Sequence, residues 1–201
     1  KSAIITDESC FYAESGGQVG DKGIISTENA EFKVTDTRKT PQGIFIHFGN
    51  VISGNFKIGN EVKLKIDSSL RELIKKNHSA THLLHAALRN NLGLHVAQRG
   101  SLVNENKLRF DFSHNKQISS KQIDTIQKEV TNIISNTCET QIDIKSQEEA
   151  IKLGAMALFG EKYGEEVRVV TLGEDNNKPY SIELCGGCLL YTSPSPRDAE
   201  S

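Results

Sequence analysis

Residues 67–93 read DSSLRELIKKNHSATHLLHAALRNNLG, and this stretch sets the frame for the rest of the chain. Leu70, Leu73, Ile74, Thr81, Leu84 and Leu88 recur at helical spacing. Asp67 or Ser68 is placed to cap the start, and Gly93 to end the helix. Within it His78 and His82 stand four apart, one turn above each other, so both imidazoles can reach one ion. Such a pair is also compatible with two ordinary half-buried histidines. His85, three residues further on, lies on nearly the same face and reads as a bystander. The spacing resembles a peptidase zinc helix only superficially, because the position after the first histidine is Ser79 rather than the glutamate such chemistry needs.

Upstream of this helix the pattern has period two. Ala3-Ile4-Ile5, Gly23-Ile24-Ile25, Phe32-Lys33-Val34, Ile44 to Phe48 and Val62 to Ile66 read as short strands broken by Gly, Asn and Asp. Strands at this spacing predict a small antiparallel β-barrel over residues 1–66. Downstream, residues 100–103 and 107–112 predict a hairpin turning on Asn104-Glu105-Asn106, with Gln98 in a loop just before it. A second amphipathic helix is predicted with Ile123, Ile126, Val130, Ile133 and Ile134 on one face and Ser119 or Ser120 as its cap. A strand from 141 to 145, a short helix from 148 to 158, and strands at 166–172 and 180–184 follow. The fold class is therefore α+β, a barrel followed by a mixed α/β core with helices on a mostly antiparallel sheet.

Composition narrows the function classes. The chain has 201 residues, 36% hydrophobic and 25% charged, as expected of a globular protein. No apolar run approaches the roughly 20 residues of a membrane span, and the first residues do not form a signal peptide. A net charge of −2 excludes a blanket attraction to nucleic acid. It leaves room for a local patch from Lys75, Lys76, Arg99, Lys107, Arg109 and Lys162. Cys10, Cys138, Cys185 and Cys188 in a chain without secretory features suggest free or metal-bound thiols in the cytoplasm.

Cys185 closes an apolar strand and precedes Gly186-Gly187, a tight turn that lets backbone or ligand approach closely. Alone it would be an ordinary core cysteine. Joined to two helical histidines it completes a natural zinc set, with sulfur about 2.3 Å and nitrogen about 2.0–2.1 Å from the metal. The glycine-rich run from Tyr12 to Gly23 lacks the GKS or GKT ending of a phosphate loop. It reads either as a strand-connecting turn or as a backbone lip around a small substrate.

Several strings occur in order along the chain: FYAESGGQVGDKG from Phe11, HSATHLLHAALR from His78, GSLV from Gly100, LRFDFSH from Leu108, GAMALFGEKY from Gly154 and ELCGG from Glu183. Together they resemble the editing region of bacterial-type alanyl-tRNA synthetases, from about residue 8 to 187. The resemblance implies a β-barrel at 1–66 and a zinc-binding tRNA-editing core at 67–187, of the second additional domain type shared by threonyl- and alanyl-tRNA synthetases. It implies His78, His82 and Cys185 as zinc ligands. Gln98 and Thr81 become the candidate catalytic positions, with Thr81 sensing a serine hydroxyl. Gly16, Gly17 and Gln18 become a wall of the amino-acid pocket. Arg109 and Lys162 are carried as substrate-binding candidates, the acceptor end of tRNA(Ala) as the partner; no membrane or protein partner is implied. A freestanding trans-editing deacylase and a non-catalytic zinc-stabilised tRNA-binding module are the alternatives.

The end of the chain departs from that family. After Cys185-Gly-Gly the family continues with Thr and a zinc-binding His, whereas this chain has Cys188 and Leu189. The string CLLYTSPSPRD from Cys188 resembles the translation of a transposon-type sequencing adapter, so residues 188–201 are expected to be a non-native tail. Three ligands in place of four predict weaker zinc binding, with Cys188 as a chance substitute.

Overall fold

A computed structural model describes residues 2–135, 140–156, 164–175 and 178–190 of the chain. The first part is a five-stranded antiparallel sheet built from β1 (Ser2–Ile5), β2 (Gly23–Ser26), β3 (Glu31–Lys39), β4 (Phe45–Ser53) and β5 (Lys63–Ile66), in the order β1-β4-β3-β2-β5. In β3 the alternation is carried out side by side: Phe32 and Val34 are buried, Lys33 and Thr35 exposed. The inner face gathers Phe11, Ile25, Phe32 and Val34, flanked by Ile4, Cys10, Phe56, Val62, Leu64 and Ile66.

All five expected strand segments form, but the expected barrel does not close. Among the described residues, β1 pairs only with β4 and β5 only with β2. Both edge strands are four residues long, too short to supply much of a closing ladder. Phe11, from the loop between β1 and β2, packs into this core and is 2% exposed. Burial of that one ring contributes about 1.5–3 kcal/mol, with no need for a fifth pairing between β1 and β5.

Helix α1 (Ser68–Leu92) follows at once. The Asp67 side chain accepts from the Leu70 N–H, and the Gly93 N–H closes the last turn onto the Arg89 carbonyl. The hairpin β6 (Ala97–Val103) and β7 (Leu108–Ser113) turns as expected. Asn104 Oδ1 accepts from the N–H groups of Asn106 and Lys107, both at 2.9 Å. Gln98 lies inside β6 rather than in a loop, at a bulge where the pairing register shifts between Gln98 and Gly100. Helix α2 (Ser120–Ser135) is capped by Ser119, whose hydroxyl accepts from the Gln122 N–H.

On α2, Ile126 and Ile133 are buried as expected, but Ile123 and Ile134 are 52% and 54% exposed. A helix laid across another offers a stripe narrower than the five apolar residues assigned to it, so its outer members remain in solvent. The last elements are β8 (Thr140–Ser146), α3 (Gln147–Lys152), β9 (Glu166–Asp175) and β10 (Lys178–Leu184), with the strands in the order β10-β9-β8. A capping box between Ser146 and Glu149 starts α3.

The sheet β10-β9-β8 and both long helices share a core of Leu83, Ile133, Val170, Leu172, Cys185 and Leu189. The first sheet is tied to α1 by a buried ion pair. Arg71 Nε lies 3.0 and 3.1 Å from the two Asp21 oxygens, and Arg71 Nη2 reaches both Asp21 and the Cys10 carbonyl. Asp21 also accepts the Tyr12 N–H at 2.6 Å, so its charge is matched on several sides.

Candidate metal centre

The buried face of α1 carries His78, His82 and His85, and β10 runs past it to deliver Glu183, with Cys185 the first residue after the strand. Strand alternation directs the two to the same side, since they are two residues apart. One nitrogen from each of His78 and His82 and the Cys185 Sγ lie within 4.8 Å of one another, and all three residues are buried. His78 Nε2 is 3.4 Å from the Cys185 sulfur. The two imidazoles stack with centroids 5.1 Å apart and planes inclined by 7°.

The back of each ring is held. Gln18 Oε1 accepts the Cys188 N–H at 2.8 Å, which marks that atom as the amide oxygen. It also faces His78 Nδ1 at 2.7 Å, so Nδ1 carries the proton and Nε2 presents its lone pair. Glu183, 1% exposed, accepts from His82 Nδ1 at 2.5 Å and from His85 Nδ1 at 2.9 Å. Ser181 donates to the same carboxylate at 3.2 Å. His82 Nε2 is left buried without a hydrogen-bond partner. An orphaned ring nitrogen beside a thiol, with its opposite nitrogen fixed by a carboxylate, is the arrangement of a metal-ligating histidine. Two nitrogens and one sulfur fit zinc.

Electrostatics point the same way. Burial alone would lower the pKa of His82, but Glu183 and the Cys185 thiolate outweigh it and raise it to about 10. Burial would likewise raise Glu183, yet the charge and hydrogen bonds of His82 and His85 take it down to about 2. Cys185 is pulled well below the ordinary thiol range against the effect of its burial, chiefly by His78 and His82. A thiolate ready at neutral pH is what a metal site requires.

The turn after Cys185 is fastened from three sides. Arg168 Nη1 donates to the carbonyls of Cys185 and Gly187 at 3.1 and 2.6 Å. The Gly187 N–H points to Cys185 Sγ at 3.4 Å. A Cβ on Gly187 would come within 2.1 Å of His78 Cε1, so only glycine lets the turn pack on that ring.

The glycine-rich loop reaches the centre through Gln18, which is fully buried. Gly17, at φ +83°, presses on Ser101, and the loop pairs with Val103 of β6 through Val103 N to Gly17 O at 2.8 Å and Val19 N to Val103 O at 3.1 Å. Its outer part, with Ser9, Cys10, Tyr12 and Phe45, walls a cleft of about 310 Å³ that opens on Gly186 and Cys188. Gly16 is exposed on this loop.

The remaining candidates stand at different distances from this chemistry. Thr81 is buried on α1 and donates its hydroxyl to the Asn77 carbonyl at 2.8 Å. Gln98 is half-buried in β6. Arg109, with its side chain 61% exposed, pairs with Asp111 at 3.0 Å. Lys162 lies outside the described residues. Cys188 is buried but does not belong to the group of three, and its neighbour Leu189 is fully buried in the core beside Cys185. Glu183 escapes a sequence reading because a single acid in an apolar strand carries no spacing signal. Its only hint is the two-residue step to Cys185.

Residues 1–70 match the family described as tRNA synthetases class II (A). Along most of its length the chain is similar to alanine–tRNA ligases: 49% identical to that of Mesorhizobium japonicum and 50% to that of Parvibaculum lavamentivorans, each over 190 residues. It is 52% identical to the alanine–tRNA ligase of Bacillus pumilus, again over 190 residues. These alignments take in 92–94% of this chain but 21% of each relative. The first match makes residues 1–70 similar to class II tRNA synthetases. The chain is homologous to alanine–tRNA ligases along most of its length and spans about a fifth of the length of these relatives.

Proposed function

We propose that the chain is the editing segment of an alanine–tRNA ligase, a zinc-bearing deacylase that hydrolyses Ser-tRNA(Ala) and Gly-tRNA(Ala). The observation that carries this reading is the convergence of His78, His82 and Cys185, with the metal-facing nitrogens already oriented, in a chain half identical to alanine–tRNA ligases. The parent enzyme would join alanine to tRNA(Ala) with ATP in the cytoplasm, through parts outside this segment. In this scheme residues 1–66 act as the first subdomain, 67–187 as the editing core and 188–201 as a foreign tail.

A second hydrolytic site answers a physical problem. A pocket shaped for alanine cannot exclude the smaller glycine, and an apolar pocket rejects an added hydroxyl only weakly. In the editing site the correct product is the one to be spared. Thr81, whose hydroxyl already donates to the Asn77 carbonyl, would accept from the serine hydroxyl, a hydrogen bond that alanine cannot make.

Bound at His78, His82 and Cys185, zinc would polarise or anchor the aminoacyl group. The chain's own residues supply the surroundings. Gln18 and Glu183 fix the ligand rings, Arg168 holds the turn, and Gly16 and Gly17 form part of the loop that walls the cleft beside Gly186. Gln98 at its bulge would support the acyl ester. Arg109 and Lys162 would contact the acceptor end of the tRNA.

The test is deacylation of Ser-tRNA(Ala) by the zinc-loaded chain, beside its Cys185→Ala variant and a Leu189→His variant that restores the family's fourth ligand. Hydrolysis above the buffer rate is expected, abolished by the first change and increased by the second. Ester loss at the buffer rate in all three would overturn the deacylase reading and leave a binding module.

A further inference from the structure

We infer that Gln18 is a positioning residue for the metal centre, a side chain through which the loop at the cleft wall holds a zinc ligand. The inference rests on the zinc reading above and deepens it. Gln18 belongs to the glycine-rich loop, yet its amide is buried sixty residues away in sequence from the ring it holds. A single oxygen receives both His78 Nδ1–H and the N–H of residue 188. It therefore fixes the tautomer of a ligand from α1 and the path of the turn that follows the ligand just after β10. Gly187 fits between them: the Cβ it lacks would lie 2.9 Å from Gln18 Oε1 as well as against His78.

The two histidine ligands are thus backed differently. His82 leans on a carboxylate held on strand β10, a neutralising and strongly polarising partner. His78 leans on a neutral amide carried by a loop whose backbone is pinned to β6 at Val103. Displacement of that loop would move the oxygen that orients His78. A shift in the cleft wall is then transmitted to one ligand and not the other. Gln18 Nε2 remains buried and without a hydrogen-bond partner, so the amide is retained for its oxygen. A carboxylate at position 18 would keep that acceptor, whereas an apolar side chain would remove it.

Three measurements on the full chain test the assignment. Zinc affinity by chelator competition should fall by about 10- to 100-fold in Gln18→Leu, the usual effect of losing such an outer partner, and should recover in Gln18→Glu. The visible spectrum of the cobalt(II)-substituted chain should change in Gln18→Leu. In the unmutated, zinc-loaded chain, long-range nitrogen–proton correlation spectra should find His78 protonated at Nδ1 and metal-bound through Nε2. A folded Gln18→Leu with unchanged zinc affinity would overturn the role, because a packing role alone would lower the melting temperature without altering the metal. Metal bound through His78 Nδ1 would overturn it even if the leucine variant does not fold. If the unmutated chain binds no zinc, the metal reading itself falls, and the outcomes are thereby distinguished.

Discussion

Two regions of this chain bury histidine, and they use it in opposite ways. In the first sheet, His47 is fully buried with both ring nitrogens engaged: Nε2 with Ser9 Oγ at 2.7 Å and Nδ1 with the Ile4 carbonyl at 3.1 Å. Phe11 packs edge-on against it. On α1, His78 and His82 have their Nδ1 atoms engaged and turn Nε2 toward a thiol, and His82 leaves that atom without a hydrogen bond. Burial alone does not distinguish the two. Completeness of pairing separates His47 from His82, and the thiol beside the open nitrogen separates His82 from His85, whose Nε2 is also unpaired: a closed histidine ties a fold together, while an open one set beside a second donor waits for an ion.

The ion pair between Arg71 and Asp21 is the strongest test of the closed side. Arg71→Met leaves the Asp21 carboxylate buried with its cation gone. The expected loss is about 3–5 kcal/mol of folding stability. Urea unfolding with and without zinc checks it, and the loss should be similar in both, since neither residue touches the metal group. A change under about 1 kcal/mol would mean that water reaches Asp21 and that the region is not closed at all.

On the open side the expected signature is stabilisation by an added ligand. Zinc that binds the folded chain alone adds roughly 2.7 kcal/mol when its free concentration is about 100 times the dissociation constant. Thermal melts over a zinc titration should rise accordingly, and Cys185→Ala should abolish the rise. Leu189→His should shift the rise to lower zinc, because position 189 sits in the core beside Cys185. The exchange of a buried leucine for histidine lowers the metal-free stability in the same variant, so the two effects are read from the zinc dependence and the zinc-free baseline. A melt indifferent to zinc in every variant would show these histidines to be closed by some other means.

How much of this was legible in the sequence follows from the range of each interaction. The strands of the first sheet came from alternation, and α1 from its apolar spacing with Asp67 and Gly93 at its ends, all local signals. His78, His82 and Cys185 could be suspected as a set because their chemistry is distinctive even when 103 residues separate the second from the third. Closure of a barrel could not be read, because period-two patterning does not say whether β1 meets β5. Nor could Gln98 be placed in a strand, since a bulge beside a glycine looks like a loop. Glu183 was hidden for a third reason, and so was the place of Gln18 behind His78, since Gln18 was expected only in the wall of the amino-acid pocket. Each is an unremarkable polar residue until the fold sets it behind a histidine contributed by another element.

The smallest expected effect separates the two kinds of histidine by the sign of their pH dependence in the metal-free chain. Burial lowers the pKa of His47 despite the opposing hydrogen bond to Ile4. Its contribution is therefore present above the unfolded value near 6.5 and is lost as pH falls below it, where the unfolded chain takes up a proton that the folded chain refuses. His82 is raised to about 10, so its contribution is present below 6.5 and is lost as pH climbs toward 10. Unfolding free energies of the parent chain, less those of His47→Gln in one series and of His82→Gln in another, remove the titration of groups that do not touch the substituted ring. Between pH 7.5 and 5.5 the first difference should shrink, and between pH 7.5 and 9.5 the second should shrink. Saturating zinc should remove the second trend, because the metal takes the place of the proton on His82, and should leave the first untouched. Trends of the same sign in both series would erase the distinction between a closed and an open histidine.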